Sequence, residues 1–285
     1  MQDWMIYGAN GYTGELVARL AVGRGERPIL AGRNAAAIGA LAAELGLEAR
    51  VADLHDPVAL RAILDGVRVV AHCAGPFRAT AAPMVDACLA TGVHYLDVTG
   101  EIGVFEEVFA RHDDAVAAGV VLLPGAGFDV VPTDCLAATL SAALPGATTL
   151  ELAFRAGGGL SPGTARSSLE GMAGGGRVRR AGVLVPAAVG TPRRRVPFPS
   201  GAATVSAIRW GDLVTAYRST GIPEITTYTV LPPGAGISAV IAWAPVRSLA
   251  GRLAGVFVHG PDETRRGRTR TEVWGEVTDS AGNRV

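Results

Sequence analysis

Gly8, Gly11 and Gly14 stand at G-x-x-G-x-x-G spacing in the segment Gly8-Ala9-Asn10-Gly11-Tyr12-Thr13-Gly14. Between a strand and a helix such a turn has a specific chemistry. The first glycine permits the tight bend, the second lets backbone approach a pyrophosphate, and the third lets helix and strand pack closely. The helix that follows offers N–H donors and a positive dipole end to phosphate oxygens. Gly8, Asn10, Gly11, Tyr12, Thr13 and Gly14 are thus candidate cofactor contacts. Outside that context the same spacing is a flexible turn, and the chain has 38 glycines. Further on, a second apolar run ends in Gly32-Arg33-Asn34. An acidic residue there would bind a ribose 2′-hydroxyl. Arginine instead offers a planar fork of donors to a 2′-phosphate. Arg33 and Asn34 therefore favour NADP over NAD, against the plainer reading of a solvated arginine.

Asp53 follows a third run, where it either reaches an adenine edge or serves as a turn aspartate near Pro57. Cys73-Ala74-Gly75-Pro76-Phe77 follows a fourth. Ligands of open α/β sheets bind at the strands' carboxyl ends, so this turn is expected beside ribose and nicotinamide. Asp97 and Glu101 follow a fifth run, Asp129 and Asp134 a sixth. A carboxylate shielded by Phe77 or Phe128 would have a raised pKa and could act as an acid. The alternative is structural, with Asp97 or Glu101 tying loops together through backbone N–H groups. We take Asp97 and Glu101 as catalytic candidates, organisers of a site more than sole proton donors. Tyr217 is a third candidate, as a hydroxyl donor to a substrate oxygen; its alternative, like that of Tyr95 and Tyr228, is packing. Ser161, Thr164 and Tyr228 are assigned to substrate, with the first two bordering a glycine-rich stretch able to act as a lid or as a plain surface loop. The nicotinamide is expected against the Ala74–Phe77 turn, the Asp97–Glu101 loop and the second domain. His72 and His94 read as core or rim residues, and no spacing suggests a metal site.

Short apolar runs alternate with helical patterns over the first half. Strands are expected at 4–7, 28–31, 48–52, 67–73, 94–98 and 120–123. Helices are expected at 15–24, 35–45, 57–64, 81–91 and 104–118. This alternation predicts a doubly wound parallel sheet of the Rossmann type over residues 1–145. From 146 to 285 the pattern changes to strands, at 148–155, 183–189, 204–208, 226–231, 238–243 and 271–278, with short helical signals at 163–172 and 246–258. An α+β domain on a mostly antiparallel sheet is expected there, serving to cover substrate or to oligomerise. The arginine clusters 177–180, 193–195 and 265–270 read as solvated loops, or as a dock for an acyl carrier protein's phosphate or acidic face. The last strand stops abruptly, as a hairpin would if its second strand were missing.

Composition narrows the classes. In 285 residues, 49% are hydrophobic and 18% charged, which suits a globular chain. The formal net charge of +0 gives no reason to expect nucleic acid as a partner. All 26 basic residues are arginine, so Schiff-base and Walker lysines are excluded. That absence also argues against an extended short-chain dehydrogenase, which uses a tyrosine and a lysine four residues apart. Three cysteines without C-x-x-C spacing suit free thiols. With a core strand by Trp4 and no long apolar run, a cytoplasmic protein without a membrane span is expected.

The glycine turn, Ala31-Gly32-Arg33, Cys73–Phe77, Tyr95–Glu101 and Gly127-Phe128-Asp129-Val130-Val131-Pro132-Thr133-Asp134 together resemble the saccharopine dehydrogenase-like oxidoreductases, including the trans-acting enoyl reductase group. Gly158–Ser161 and Ser219–Pro223 also look like that family. The resemblance covers nearly the whole chain and is strongest before Asp134. It implies NADP (NADPH) at the glycine turn and a second domain that covers the nicotinamide. It also implies hydride transfer to a C=C or C=N bond of a small, lipid-like or polyketide-like acyl substrate. A Rossmann protein that has lost redox catalysis and acts as regulator or scaffold is the alternative. A homodimer is compatible with either. Family members continue with another strand and helix where this chain ends at Val285, so the second domain is short by comparison.

Overall fold

The computed structural model describes residues 3–157, 175–188, 190–231 and 260–285. The chain divides into two compact units, Met1–Phe128 and Asp129–Val285. Ser161, Thr164, the strand expected at 238–243 and the helices expected at 163–172 and 246–258 lie outside the described residues.

The first unit alternates β1 (Trp4–Tyr7), α1 (Tyr12–Gly23), β2 (Ile29–Gly32), α2 (Ala35–Leu45), β3 (Ala49–Val51), α3 (Pro57–Ile63), β4 (Val69–His72), α4 (Phe77–Thr91), β5 (His94–Asp97), α5 (Ile102–Phe109), α6 (His112–Ala118) and β6 (Leu122–Leu123). The strands form one sheet in the order β3-β2-β1-β4-β5-β6, and every pair is parallel. Parallel strands with helices on both faces must be apolar on both faces. Met5 and Tyr7 accordingly join one buried cluster with Ile29, Val70 and Tyr95, while Ile6 and Leu30 join another with Ala18 and Ile38. The expected Rossmann sheet is present. Helices α1 and α4 begin three or four residues earlier than their apolar periodicity suggests, because the turn residues themselves wind into the first helical turn. The single helix expected over 104–118 is two. Arg111 leaves helical geometry at φ −89°, ψ 17°, and bonds Asp86 at 2.6 Å and Asp114 at 2.5 Å.

The second unit contains α7 (Val131–Ala143), β7 (Ala147–Arg155), β8 (Gly176–Arg180), β9 (Val183–Ala187), β10 (Arg193–Phe198), β11 (Gly201–Ile208), α8 (Asp212–Thr220), β12 (Glu224–Thr229), α9 (Glu263–Arg268) and β13 (Glu272–Asp279). Its main sheet runs β10-β11-β12-β7-β13, antiparallel except for β7–β12; β8 and β9 form a hairpin attached to β12. One face buries Leu150, Leu152, Ile225 and Val277. Helix α7 packs on that face, so closely at β13 that a Cβ on Gly275 would lie 2.7 Å from Leu140. Because α7 packs on β7, β13 and α8, it belongs with the second unit, although the sequence placed the division at residue 145.

Three readings of the second half change. Arginines 177, 179 and 180 and 193–195 are not in solvated loops but in strands β8 and β10, because Arg179, Arg180 and Arg194 find internal partners. Arg179 is 7% exposed, donates to the Leu213 carbonyl at 2.6 Å and stacks 4.1 Å over the Tyr217 ring. Residues 265–268 belong to α9, whose Asp262 cap accepts from the Arg265 N–H at 2.7 Å. The final strand does have a return partner: Val285 and Val277 exchange backbone hydrogen bonds at 3.0 and 3.2 Å around a turn held by Asp279.

Candidate functional site

The strand order places β1 and β4 side by side while their connections lead to opposite edges of the sheet, and a crevice opens at such a switch point. The turns after both strands meet there. Gly8 has φ +82°, and a Cβ on it would come within 2.7–2.9 Å of Ala74 atoms. Only glycine meets both demands. The Gly8 and Ala9 N–H groups donate to the Ala31 carbonyl at 2.7 and 3.2 Å, which fixes the turn against β2. Gly14 sits where a Cβ would be 2.3 Å from the Gly8 carbonyl oxygen. Gly11 caps α1 in extended geometry, is exposed, and has only the Gly8 oxygen within 4 Å of a built Cβ, at 3.3 Å. The N-cap residue Gly11 gives α1 no side-chain hydrogen bond.

Asn10 is exposed beside the end of β2; a Cβ on Gly32 would lie 3.3 Å from its Oδ1. Tyr12 and Thr13 are half-buried in the first turn of α1. Arg33 is exposed just past β2, and among the described residues no carboxylate pairs with it. An open helix N-terminus, a glycine where a phosphate would approach and an unneutralised guanidinium beside them suit a phosphorylated dinucleotide. Asn34 caps α2, its Oδ1 accepting from the Ala37 N–H at 3.1 Å. Asp53 is exposed and accepts from the His55 N–H at 2.9 Å, which is a turn role.

Residues 4–123 match the family described as saccharopine dehydrogenase NADP binding domain. Over those residues the first unit is similar to saccharopine dehydrogenase NADP-binding domains. A protein of Arabidopsis thaliana named as a saccharopine dehydrogenase-like oxidoreductase is 34% identical over 152 residues, 46% of this chain and 33% of that protein. A trans-acting enoyl reductase of Mycobacterium leprae is 36% identical over 140 residues, 46% of this chain and 34% of that protein. The chain thus spans about a third of the length of the curated relatives it matches. Saccharopine dehydrogenase (L-Glu forming) of Saccharomyces cerevisiae superposes with a TM-score of 0.60 at 16% identity, over 80% of this chain and 55% of that one, and so shares the fold.

Two predicted acids stand at the carboxyl edge of this NADP-binding domain, and both are engaged. Asp97 is 1% exposed and accepts from the Tyr95 hydroxyl at 2.6 Å, the Thr99 N–H at 2.9 Å and the Gly125 N–H at 2.7 Å. Burial raises its pKa, opposed by those donors. Glu101 accepts from the Phe77 and Arg78 N–H groups at 3.1 and 3.0 Å, capping α4 from another loop. These contacts match the loop-tying alternative. The Cys73-Ala74-Gly75-Pro76 turn feeds α4, and Thr80 donates back to the Ala74 carbonyl at 2.6 Å. Cys73 is half-buried, and burial pushes its thiol up to about 12. His72 is a core residue whose ring lies 5.5 Å from Phe77 and 5.6 Å from Tyr7. Among the described residues neither of its nitrogens has a partner at hydrogen-bond geometry, and burial, opposed by the Thr80 backbone, pushes it down to about 3, so it is neutral.

In the second unit, Tyr217 is 36% exposed on α8 beneath the Arg179 guanidinium. Tyr228 is 3% exposed and donates to Glu151 Oε1 at 2.5 Å, so its hydroxyl is committed inside the sheet. Sequence reasoning missed Asp212. It opens α8, is 1% exposed, and burial pushes it up to about 7, with the Asp134 and Asp129 charges adding to the rise. Asp129 is raised to about 6 by burial. No helix was expected over residues 212–220, so Asp212 was not marked as the first residue of one. Among the described residues no group of three or more His, Cys, Asp or Glu side chains could hold a metal ion, and no helix is long and apolar enough to cross a membrane.

Proposed function

We propose that the protein is an NADPH-dependent reductase acting on a C=C or C=N bond of a small or acyl-linked substrate. The observation that carries this is the α1 N-terminus behind Gly11, an N-cap without a side chain, at the sheet's switch point and beside Arg33, which has no carboxylate partner among the described residues. NADPH supplies a hydride, and the demands on the protein are then largely geometric. Gly8 and Gly14 hold the turn close, Gly11 leaves room for phosphate, and Arg33 selects the 2′-phosphate. Asp97 and Glu101 keep the β4 and β5 loops in register around the reacting ring. Enoyl reductase names among the relatives support the C=C assignment. Substrate recognition and oligomerisation fall to the second unit, with Tyr217, Tyr228, Ser161 and Thr164 as its polar candidates. A cytoplasmic homodimer, with substrate free or carried on an acyl carrier protein, completes the reading.

A second reading has an observation in its favour. Asp97 and Glu101 both hold loops, so neither is a free acid, which fits a nucleotide-binding regulator without redox turnover. One experiment separates the two. Purified protein is titrated with NADPH and NADH, then offered enoyl thioesters and imines while absorbance at the nicotinamide band is followed. Tighter NADPH binding, lost in Arg33→Ala, with substrate-dependent oxidation supports the reductase. Stoichiometric NADPH binding without oxidation across the panel supports the regulator. Equal affinity for the two nucleotides refutes the Arg33 assignment.

A further inference from the structure

The first unit ends in an exposed aromatic side chain on a loop that is fastened down. Phe128 is 59% exposed. A lone exposed apolar side chain is ordinary on a protein surface. The backbone leading to this one is not ordinary. Gly125, buried and at φ +76°, donates its N–H to Asp97 Oδ1 at 2.7 Å. The Ala126 N–H donates to the Asp97 carbonyl, also at 2.7 Å. Gly127 lies so close to the residue after β5 that a Cβ on it would be 2.8 Å from the Val98 Cβ. Three successive residues thus tie the loop after β6 to the end of β5, and one of the ties uses a carboxylate that is itself 1% exposed. Burying a phenylalanine ring is favourable. Here the ring is left in water at the end of a fixed backbone, which is how a rigid scaffold presents a contact to a ligand.

The place of this loop says which ligand. All six strands of the first unit are parallel, so the turns after β1, β4, β5 and β6 share one edge of the sheet. The glycine turn stands at β1 and β4. Strand β6 lies two strands beyond β4, roughly 10 Å at the usual strand spacing. A group at that distance is past the phosphates of a nucleotide held at the switch point, where the partner of the cofactor's reactive end would lie. The intervening edge carries small residues: Gly75 and Ala126 are exposed and Gly100 is half-buried. Its two carboxylates, Asp97 and Glu101, are engaged with backbone N–H groups and call for no cationic ligand. Glycine and alanine leave room for a flat chain, and an aromatic ring beside them suits an apolar or conjugated one. Val121 and Leu123, 58% and 47% exposed at β6, offer the competing use of Phe128, as part of a contact between copies of the chain.

We propose that Phe128 is a substrate contact that selects for chain length: its ring packs against the apolar chain of an unsaturated acyl substrate lying along the β4–β6 edge. This rests on the reductase reading, which puts the nicotinamide at that edge. The test uses the whole chain, first titrated with NADPH and then, saturated with it, titrated calorimetrically with the N-acetylcysteamine thioesters of trans-2-decenoic and trans-2-butenoic acid. The parent should bind the long thioester more tightly than the short one. Phe128→Ala should weaken the long one at least about tenfold, change the short one little, and leave NADPH affinity and Tm as in the parent. Phe128→Leu should recover part of the loss. Binding of the long thioester without oxidation of NADPH supports the contact and counts against the reductase reading. Failure of the parent to bind NADPH overturns that reading and the proposal with it. NADPH binding with no thioester binding, or with equal thioester affinity in Phe128→Ala and the parent, overturns the proposal alone. So does a Phe128→Ala protein that melts well below the parent, which makes Phe128 a packing residue, or one that drops to a smaller oligomer in light scattering, which makes it a subunit contact.

Discussion

Gly14→Ala and Gly11→Val should separate the two tasks of the glycine turn, folding and nucleotide binding. At Gly14 the added Cβ would lie 2.3 Å from the Gly8 carbonyl oxygen and 2.8 Å from the Ala9 Cα, both backbone atoms. Comfortable contact needs about 3.5 Å, so α1 must move away from β1 by roughly 1 Å. Overpacking typically costs about 1–3 kcal/mol, and a clash against backbone belongs at the top of that range. Replacing glycine within a helix returns up to about 1 kcal/mol. A net loss of about 2 kcal/mol is expected, and in a unit of this size that lowers Tm by roughly 5–10 °C. Gly11 is different. Its φ of −86° and ψ of 162° are open to any residue, and the nearest atom to a built Cβ is 3.3 Å away. A valine there should cost under about 1 kcal/mol as a poorer helix cap. It should nonetheless abolish NADPH binding, because its side chain fills the space a phosphate needs. Thermal melts by circular dichroism, with a fluorescence titration of NADPH on each variant, give both readouts. Parent-like melting of Gly14→Ala would refute the packing argument. Parent-like NADPH affinity in Gly11→Val would move the nucleotide elsewhere.

Three further outcomes follow from the hydrogen-bonded or buried acids. Asp97→Asn should lower stability by about 2–3 kcal/mol in urea melts, since an amide N–H₂ group would replace one acceptor among three donors. Glu101→Gln should cost about 1 kcal/mol by weakening the α4 cap, and should reduce turnover more than NADPH affinity once a substrate is in hand; unchanged turnover would remove Glu101 from the site. Asp212, raised to about 7 by burial, keeps its proton in the folded state while an unfolded aspartate loses it near pH 4. Its contribution is therefore fully present below about pH 4, declines as pH rises through about 7 and is flat above. Urea melts between pH 4 and 8 should show that decline in the parent and a flatter profile in Asp212→Asn.

The first unit was legible because its strands obey simple rules. Met5-Ile6 and Ile29-Leu30 are apolar on both faces, and a glycine turn and a capped helix punctuate them, so period and turn chemistry agree. Arg33 was legible as a candidate 2′-phosphate contact for the same reason: it is a single side chain at a single strand end. The second unit hid its elements behind charge. Arg179 and Arg194 are strand residues facing inward, and distant partners, the Leu213 carbonyl for one and Glu151 and Glu276 for the other, help to offset that burial. No local window contains those partners. Asp97 and Glu101 were found by position, but whether they hold loops or touch substrate depends on N–H groups at Gly125 and Phe77, more than twenty residues away in either case.

The strand pairing of the second unit bears on how the chain is made. In the first unit each strand finds its neighbours soon after synthesis: β1 is paired on both sides once residue 72 has emerged. Strand β7 must wait. Its partners are β12, at residues 224–229, and β13, at 272–279. Until the last of these leaves the ribosome, Leu150 and Leu152 have a helix to lie against but no completed sheet. Long-range pairing of this kind slows folding and leaves strand edges open to wrong partners. The nucleotide domain should thus be native while the second unit is still a nascent, chaperone-dependent chain, and expression temperature should govern yield through the second unit alone.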